Sequence, residues 1–336
     1  MCDDFCLEFK DGLTCSDIPA CEYKMATDHT WHCICKAHEH ATAARTGTVK
    51  VNTDNRRRTM VYMYCGPDPK QGNRSGDPAC DQRTSVALQH APSISALVIG
   101  SYLCRLTEYD DESGASWCDY QANYSTHIGQ LRRAGVEVLL NADGAHNFQT
   151  LPAVTGAGAV ERMIELALAL NVSGWAFDLE SRGIPLSAYV AFFTKLKDAF
   201  APHGLQLQYT SGHHFAGSLN YTTLLPLVDY VFDMSEYSQP SAFAKRFSTV
   251  PSGMEHKYVP GASVNLWMKE DTGPALALFE TAAAAKGDGG GGLQTIGLFT
   301  INENVSSWWW NYLDAWIASG EEVRAVGDQR PAAGQQ

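Results

Sequence analysis

No apolar run in this sequence approaches the roughly 20 residues that a helix needs to cross a bilayer. It also lacks any surplus of cations. Lys and Arg number 25 against 37 Asp and Glu, a formal net charge of -12. That balance argues against nucleic acid or an anionic membrane as partner. No Gly-rich phosphate loop follows the first strand-like run, which counts against a nucleotide-binding open sheet. No secretory leader is visible either, because Met1 is followed at once by Cys2, Asp3 and Asp4. With 45% apolar residues the chain has ample material for a core, so global disorder is not expected.

What is present points to an oxidising compartment. The ten cysteines are even in number, and six of them precede residue 36. Asn-X-Ser/Thr acceptors stand at Asn73, Asn123, Asn171, Asn220 and Asn304. Together they favour the secretory pathway, with an extracellular or lysosomal/vacuolar destination. The leader would then have been removed or lie outside this sequence.

Residues 1–57 are rich in Cys, His and polar residues and carry no long periodic pattern. From residue 58 a β/α rhythm begins. Eight strand-like runs follow: TMVYMYCG, ISALVIGSYL, VEVLLNADG, VSGWAFDLE, LQLQYTSG, VDYVFDMSEY, KYVPGASVNLW and TIGLFTINEN. Most are near-continuous apolar runs, as parallel strands covered by helices require. Helical spacing fills GAVERMIELALAL, LSAYVAFFTKLKDAF and PALALFETAAAAK between them. The expected architecture is α/β: a (β/α)8 TIM barrel over residues 58–320, with a small Cys-rich N-terminal extension and a disordered tail at 321–336.

The fourth run carries two acids, Asp178 and Glu180. Residues two apart on a strand share a face, so Phe177 and Leu179 point the other way. In a barrel the acids face inward at the C-terminal end of a strand, where barrel active sites lie. Two close carboxylates do not both ionise cheaply, and the one that keeps its proton can serve as a general acid. Such a pair suits cleavage of a glycosidic bond. A structural ion pair with Arg182, or a metal ligand set, is the competing reading of the same residues.

SGWAFDLE resembles the fourth-strand signature DGxDxDxE of glycoside hydrolase family 18, the chitinases and di-N-acetylchitobiases. Asp178 and Glu180 match its last two acids, while Ser173 and Ala176 stand where the first two would be. VEVLLNADG is similar to the third-strand motif at Gly144, and Asn141 on that run joins the candidate sugar contacts. VDYVFDMSEYSQ resembles the sixth-strand motif Met-Ser-Tyr-Asp at Met234 and Ser235, with Glu236 and Tyr237 in altered order. Phe299 stands where the eighth strand usually has Trp, and Tyr62 and Tyr64 match the aromatic first strand in character.

The resemblance implies a retaining, substrate-assisted hydrolase. In it Glu180 is the general acid/base, and Asp178 stabilises the acetamide as its oxygen attacks the anomeric carbon. The implied partner is a β-linked N-acetylglucosamine oligosaccharide or chitin, with no metal and no cofactor. Tyr237, Glu236, Met234, Tyr62, Tyr64, Asn141, Trp267 and Phe299 are the implied or candidate substrate contacts. A catalytically silent lectin on the same barrel, and an N-glycan endo-N-acetylglucosaminidase, are the alternatives. The chain is expected to act as a monomer.

Three further features are read from the residues. HTWHCICKAHEH invites a zinc site, but Cys33 and Cys35 are spaced too tightly for a standard finger, and a small disulfide knot is preferred. Cys65 and Cys80, and Cys104 and Cys118, would flank the loops after strands one and two, and local pairing is expected for each. The WWW run at 308–310 reads as helix packing on the outer wall, and Trp267 as the better stacking candidate.

Overall fold

A computed structural model describes residues 21–25, 31–35, 57–65, 78–100, 120–142, 158–179, 185–211, 220–234, 241–264, 269–284, 292–301 and 305–327. The chain divides into two compact units, Met1–Val51 and Asn52–Gln336. In the first unit β1 (Cys21–Met25) pairs antiparallel with β2 (Trp31–Cys35), and Cys21 stands opposite Cys35. The remainder of the Cys/His-rich segment lies outside the described residues.

The second unit holds eight parallel strands, one at each run read from the sequence, β3 starting one residue earlier than its run. They are β3 (Arg58–Tyr64), β4 (Ala96–Gly100), β5 (Glu137–Ala142), β6 (Gly174–Leu179), β7 (Gln206–Ser211), β8 (Tyr230–Asp233), β9 (Tyr258–Ser263) and β10 (Thr295–Ile301). Each pairs with its sequence neighbour, and β10 pairs back onto β3 to close the barrel. An open doubly wound sheet is thereby excluded. Around the barrel run α1 (Pro78–Gln89), α2 (Tyr120–Arg133), α3 (Ala159–Ala169), α4 (Leu186–Phe200), α5 (Tyr221–Leu224), α6 (Ser241–Phe247), α7 (Lys269–Ala284) and α8 (Ser307–Gly327).

The helices form where apolar residues recur at helical spacing. In α4, Tyr189, Phe192, Phe193, Leu196 and Phe200 make one buried stripe. Pro185 sits just before it with an extended backbone, and Gly204 beyond its end turns the chain with φ 63°. The stripe meets outward residues of the barrel: Phe177 packs edge-on against Phe192 with ring centroids 5.3 Å apart. Burying aromatics of this size contributes about 2–3 kcal/mol each. Trp175 also faces the helices and donates its indole N–H to the Met163 carbonyl of α3 at 3.0 Å. WWW lies on α8, where Trp309 and Trp310 are buried in this outer layer and Trp310 stacks on His90.

The lumen has its own core of Met60, Tyr62, Ala96, Val98, Leu139, Ala176, Phe232, Met234 and Val259. Phe232 crosses it. A Cβ placed on Gly261 or Gly297 would lie 2.4 or 2.2 Å from that ring, so the two glycines make its berth. Below it, at the N-terminal ends of the strands, Arg58 pairs with Glu137, donates to the Tyr230 hydroxyl at 2.8 Å, and Gln206 donates to Glu137. Burial opposes the Arg58 cation, but Tyr230 and Glu137 outweigh it and raise its pKa above the ordinary value. Its neighbour Arg57 binds Glu280 of α7 and Ser319 of α8 and lies 4.2 Å from the Trp316 ring centroid. Arg57 and Arg58 are thus part of the barrel's floor and outer wall.

Candidate active site at the barrel mouth

Strand alternation decides which side chains reach the mouth. On β6, Phe177 and Leu179 belong to the outer layer, while Ala176 belongs to the lumen. Asp178 shares the face of Ala176 one pleat higher and is 5% exposed. The Tyr64 hydroxyl, at the end of β3, donates to Asp178 Oδ2 at 3.5 Å. That is the outer limit of a hydrogen bond, so the contact orients the carboxylate weakly.

Around this pair the structure gathers several of the residues singled out in the sequence. Tyr62 is fully buried beneath Tyr64, and Phe299 stands 5.7 Å from the ring of Tyr62 and 5.6 Å from that of Tyr64. Met234 is buried in the lumen cluster beyond the end of β8. Asn141 is fully buried on β5, in register with Ala176. Cys65 and Cys80 form a disulfide across the β3–α1 connection. Glu180, Glu236, Tyr237, Trp267, Cys104 and Cys118 lie outside the described residues.

Two participants were not anticipated. Gln208 and Thr210 face the lumen from β7, in register with Ala176 and Asp178. Gln208 Nε2 donates to the Tyr62 hydroxyl at 2.7 Å and to the Thr210 hydroxyl at 3.3 Å. The Tyr62 and Thr210 hydroxyls bond each other. The signal was in the sequence. LQLQYT alternates apolar and polar residues, although a strand covered by helices needs polar residues only where it faces a polar lumen. This neutral network occupies the layer of Ala176.

One further buried carboxylate serves the frame. Asp233 points outward from β8 and accepts from Tyr221 and Tyr258 at 2.7 Å each, with Arg246 of α6 at 3.0 Å. It ties α5, α6 and β9 together directly below the end of β8. Among the described residues no group of three or more His, Cys, Asp or Glu is placed to hold a metal ion. No described helix is long and apolar enough to cross a membrane.

No protein-family model and no curated protein matches the sequence. Solved structures do match in fold. The spore cortex-lytic enzyme SleL of Bacillus megaterium QM B1551 is 12% identical with a TM-score of 0.56, covering 77% of this chain and 73% of that one. A class V chitinase from Pseudomonas fluorescens Pf-5 is 10% identical with a TM-score of 0.54, covering 77% and 99%. The family 18 chitinase ChiB from the chitin utilization locus of Flavobacterium johnsoniae is 12% identical with a TM-score of 0.50, covering 79% and 94%. At such identities the likeness is one of fold: this chain is similar to these enzymes in its closed eight-stranded barrel.

Proposed function

We propose that this chain is a glycoside hydrolase of the family 18 kind, cleaving β-1,4-linked N-acetylglucosamine chains with retention. The observation that carries the reading is the position of Asp178. It is an inward carboxylate at the C-terminal end of the fourth barrel strand, oriented by a tyrosine hydroxyl and followed two residues later by Glu180. The chitinases among the structural neighbours support the substrate class.

In this mechanism Glu180 protonates the leaving oxygen while the substrate's own acetamide oxygen attacks the anomeric carbon. Asp178 accepts from the acetamide N–H and offsets the positive charge that develops there. Glu180 then takes a proton from the water that opens the oxazolinium. Tyr237 supplies a hydroxyl donor for the acetamide oxygen, a task that an ionised Glu236 cannot perform. No metal or cofactor takes part. The Cys65–Cys80 bridge supports a secretory location. A disulfide-linked N-terminal segment, a Cys104–Cys118 bridge, a stacking role for Trp267 and a monomeric state belong to the same proposal.

A second reading, an oligosaccharide-binding lectin, draws on one observation: the acid missing at Ala176 is met by the neutral Tyr62, Gln208 and Thr210 network. Nitrophenyl glycosides of one, two and three N-acetylglucosamine units separate the two. Nitrophenol release is expected from the wild type, and a loss of about 10²–10⁴-fold in Glu180→Gln with oligosaccharide binding kept. Binding without release by the wild type would overturn the enzyme and leave the lectin.

A further inference from the structure

The contact between Tyr64 and Asp178 is long, so its geometry depends on whatever fixes the end of β3. Three restraints meet there. The Tyr64 ring lies on Gly100 of β4, where a Cβ would come within 2.8 Å of it, and Phe299 meets the ring edge-on from β10. The Cys65 N–H donates to the Gly100 carbonyl at 2.7 Å. The third restraint comes from α1. Arg83 donates to the Tyr64 carbonyl at 2.6 Å, and Cys80 is bonded to Cys65. The first turns of α1 therefore grip two consecutive residues of β3, one by its carbonyl and one by its side chain. Both cysteines are buried, at 0% and 1% exposure.

We infer that Arg83 and the Cys65–Cys80 disulfide are positioning residues that hold the Tyr64 hydroxyl on the Asp178 carboxylate. A structural strut alone does not require the cation. The disulfide already ties α1 to β3, and a guanidinium N–H on the Tyr64 carbonyl adds orientation to a connection that is already made. The placement is also specific. The carbonyl gripped belongs to the residue whose side chain reaches the acid, and a small turn of that peptide swings a hydroxyl some way off along the tyrosine side chain. At a separation of 3.5 Å there is no slack left in the hydrogen bond. This inference rests on the catalytic reading of Asp178 for its kinetic arm only.

A double-mutant cycle tests it. Tyr64→Phe is expected to lower kcat roughly two- to tenfold, the worth of one hydrogen bond, with KM little changed. Arg83→Met should lose a similar factor, Arg83→Lys should regain part of it, and Arg83→Met in the Tyr64→Phe background should lose nothing more. Losses that multiply would overturn the inference, as would an Arg83→Met variant with wild-type kcat. A second arm needs no turnover. With ring-labelled tyrosine, the Tyr64 Cζ resonance should shift as pH crosses the carboxylate range and stop doing so in Asp178→Asn. The step should shrink in Arg83→Met and in wild-type protein reduced with a phosphine. A step of unchanged amplitude in both overturns the brace. A wild type with the NMR step but no turnover removes the proposed hydrolase and leaves the brace standing.

Discussion

At the N-terminal ends of the strands the Glu137 carboxylate meets a guanidinium and an amide, and that guanidinium also reaches the Tyr230 hydroxyl. At the C-terminal ends of the same barrel the Asp178 carboxylate accepts from the Tyr64 hydroxyl at 3.5 Å. Both groups line one lumen and differ in place, Glu137 at the floor and Asp178 at the mouth. A charge paired and hydrogen-bonded within the protein adds stability that its removal forfeits. A carboxylate at the mouth lies where barrel active sites form. Barrels of this kind in general divide the work of holding the fold and of doing chemistry between these two ends, and the proposed hydrolase would do the same.

Three changes test that division, from the largest effect to the smallest. Asp178→Asn should lower turnover about 10²–10³-fold, the scale of losing a preorganised group at a developing charge. Its thermal midpoint should equal or exceed that of the wild type, checked by melting alongside steady-state kinetics. A clear loss of stability would break the comparison. Arg58→Ala should do the reverse. It leaves Glu137 with its amide but without its cation, at a cost of about 3 kcal/mol in urea unfolding. Turnover per folded molecule should be unchanged, and Arg58→Met with Glu137→Gln should recover most of the loss.

The smallest effect concerns pH. His90, before β4, and His256, before β9, both lie at the floor end of the barrel. Burial lowers the pKa of each, and Lys257 adds to the effect at His256. The unfolded chain therefore binds more protons than the folded one just below the ordinary histidine pKa. Stability should be full above about pH 6.5 and fall as pH drops through it. Melting curves between neutral and mildly acidic pH should show that fall, and it should flatten in His90→Gln with His256→Gln.

The barrel was legible because each of its strands sits in an apolar run and because period-two alternation assigns faces without coordinates. Asp178 inward with Phe177 outward follows from that alternation alone. The burial of Trp309 and Trp310 was legible from apolar bulk at the start of a helix. The partners across the lumen were not legible. Tyr64 reaches Asp178 over 114 positions, and Gln208 reaches Tyr62 over 146. Such meetings depend on the stagger of strands around a closed barrel, which no local pattern encodes. The places of Arg57 and Arg58 are hidden in the sequence for a similar reason. A basic run usually marks a solvated surface, and only closure of β10 onto β3 brings Glu280, Ser319 and Glu137 within their reach.

Phe232 has a consequence for how this chain can drift. Its ring occupies the room that Cβ atoms at 261 and 297 would need, so the three positions form one inherited unit. While the phenylalanine stays, neither glycine can become alanine without displacing the ring. Once a smaller residue replaces it, both glycines are released together, and side chains from β9 and β10 can fill the vacated space. Descendants of this sequence should therefore occur in two sets, Phe with two glycines or a smaller residue with two larger neighbours. Mixed sets should be scarce, since they carry either a clash or a cavity. A lineage crossing from one set to the other would change how deep the lumen is beneath Asp178.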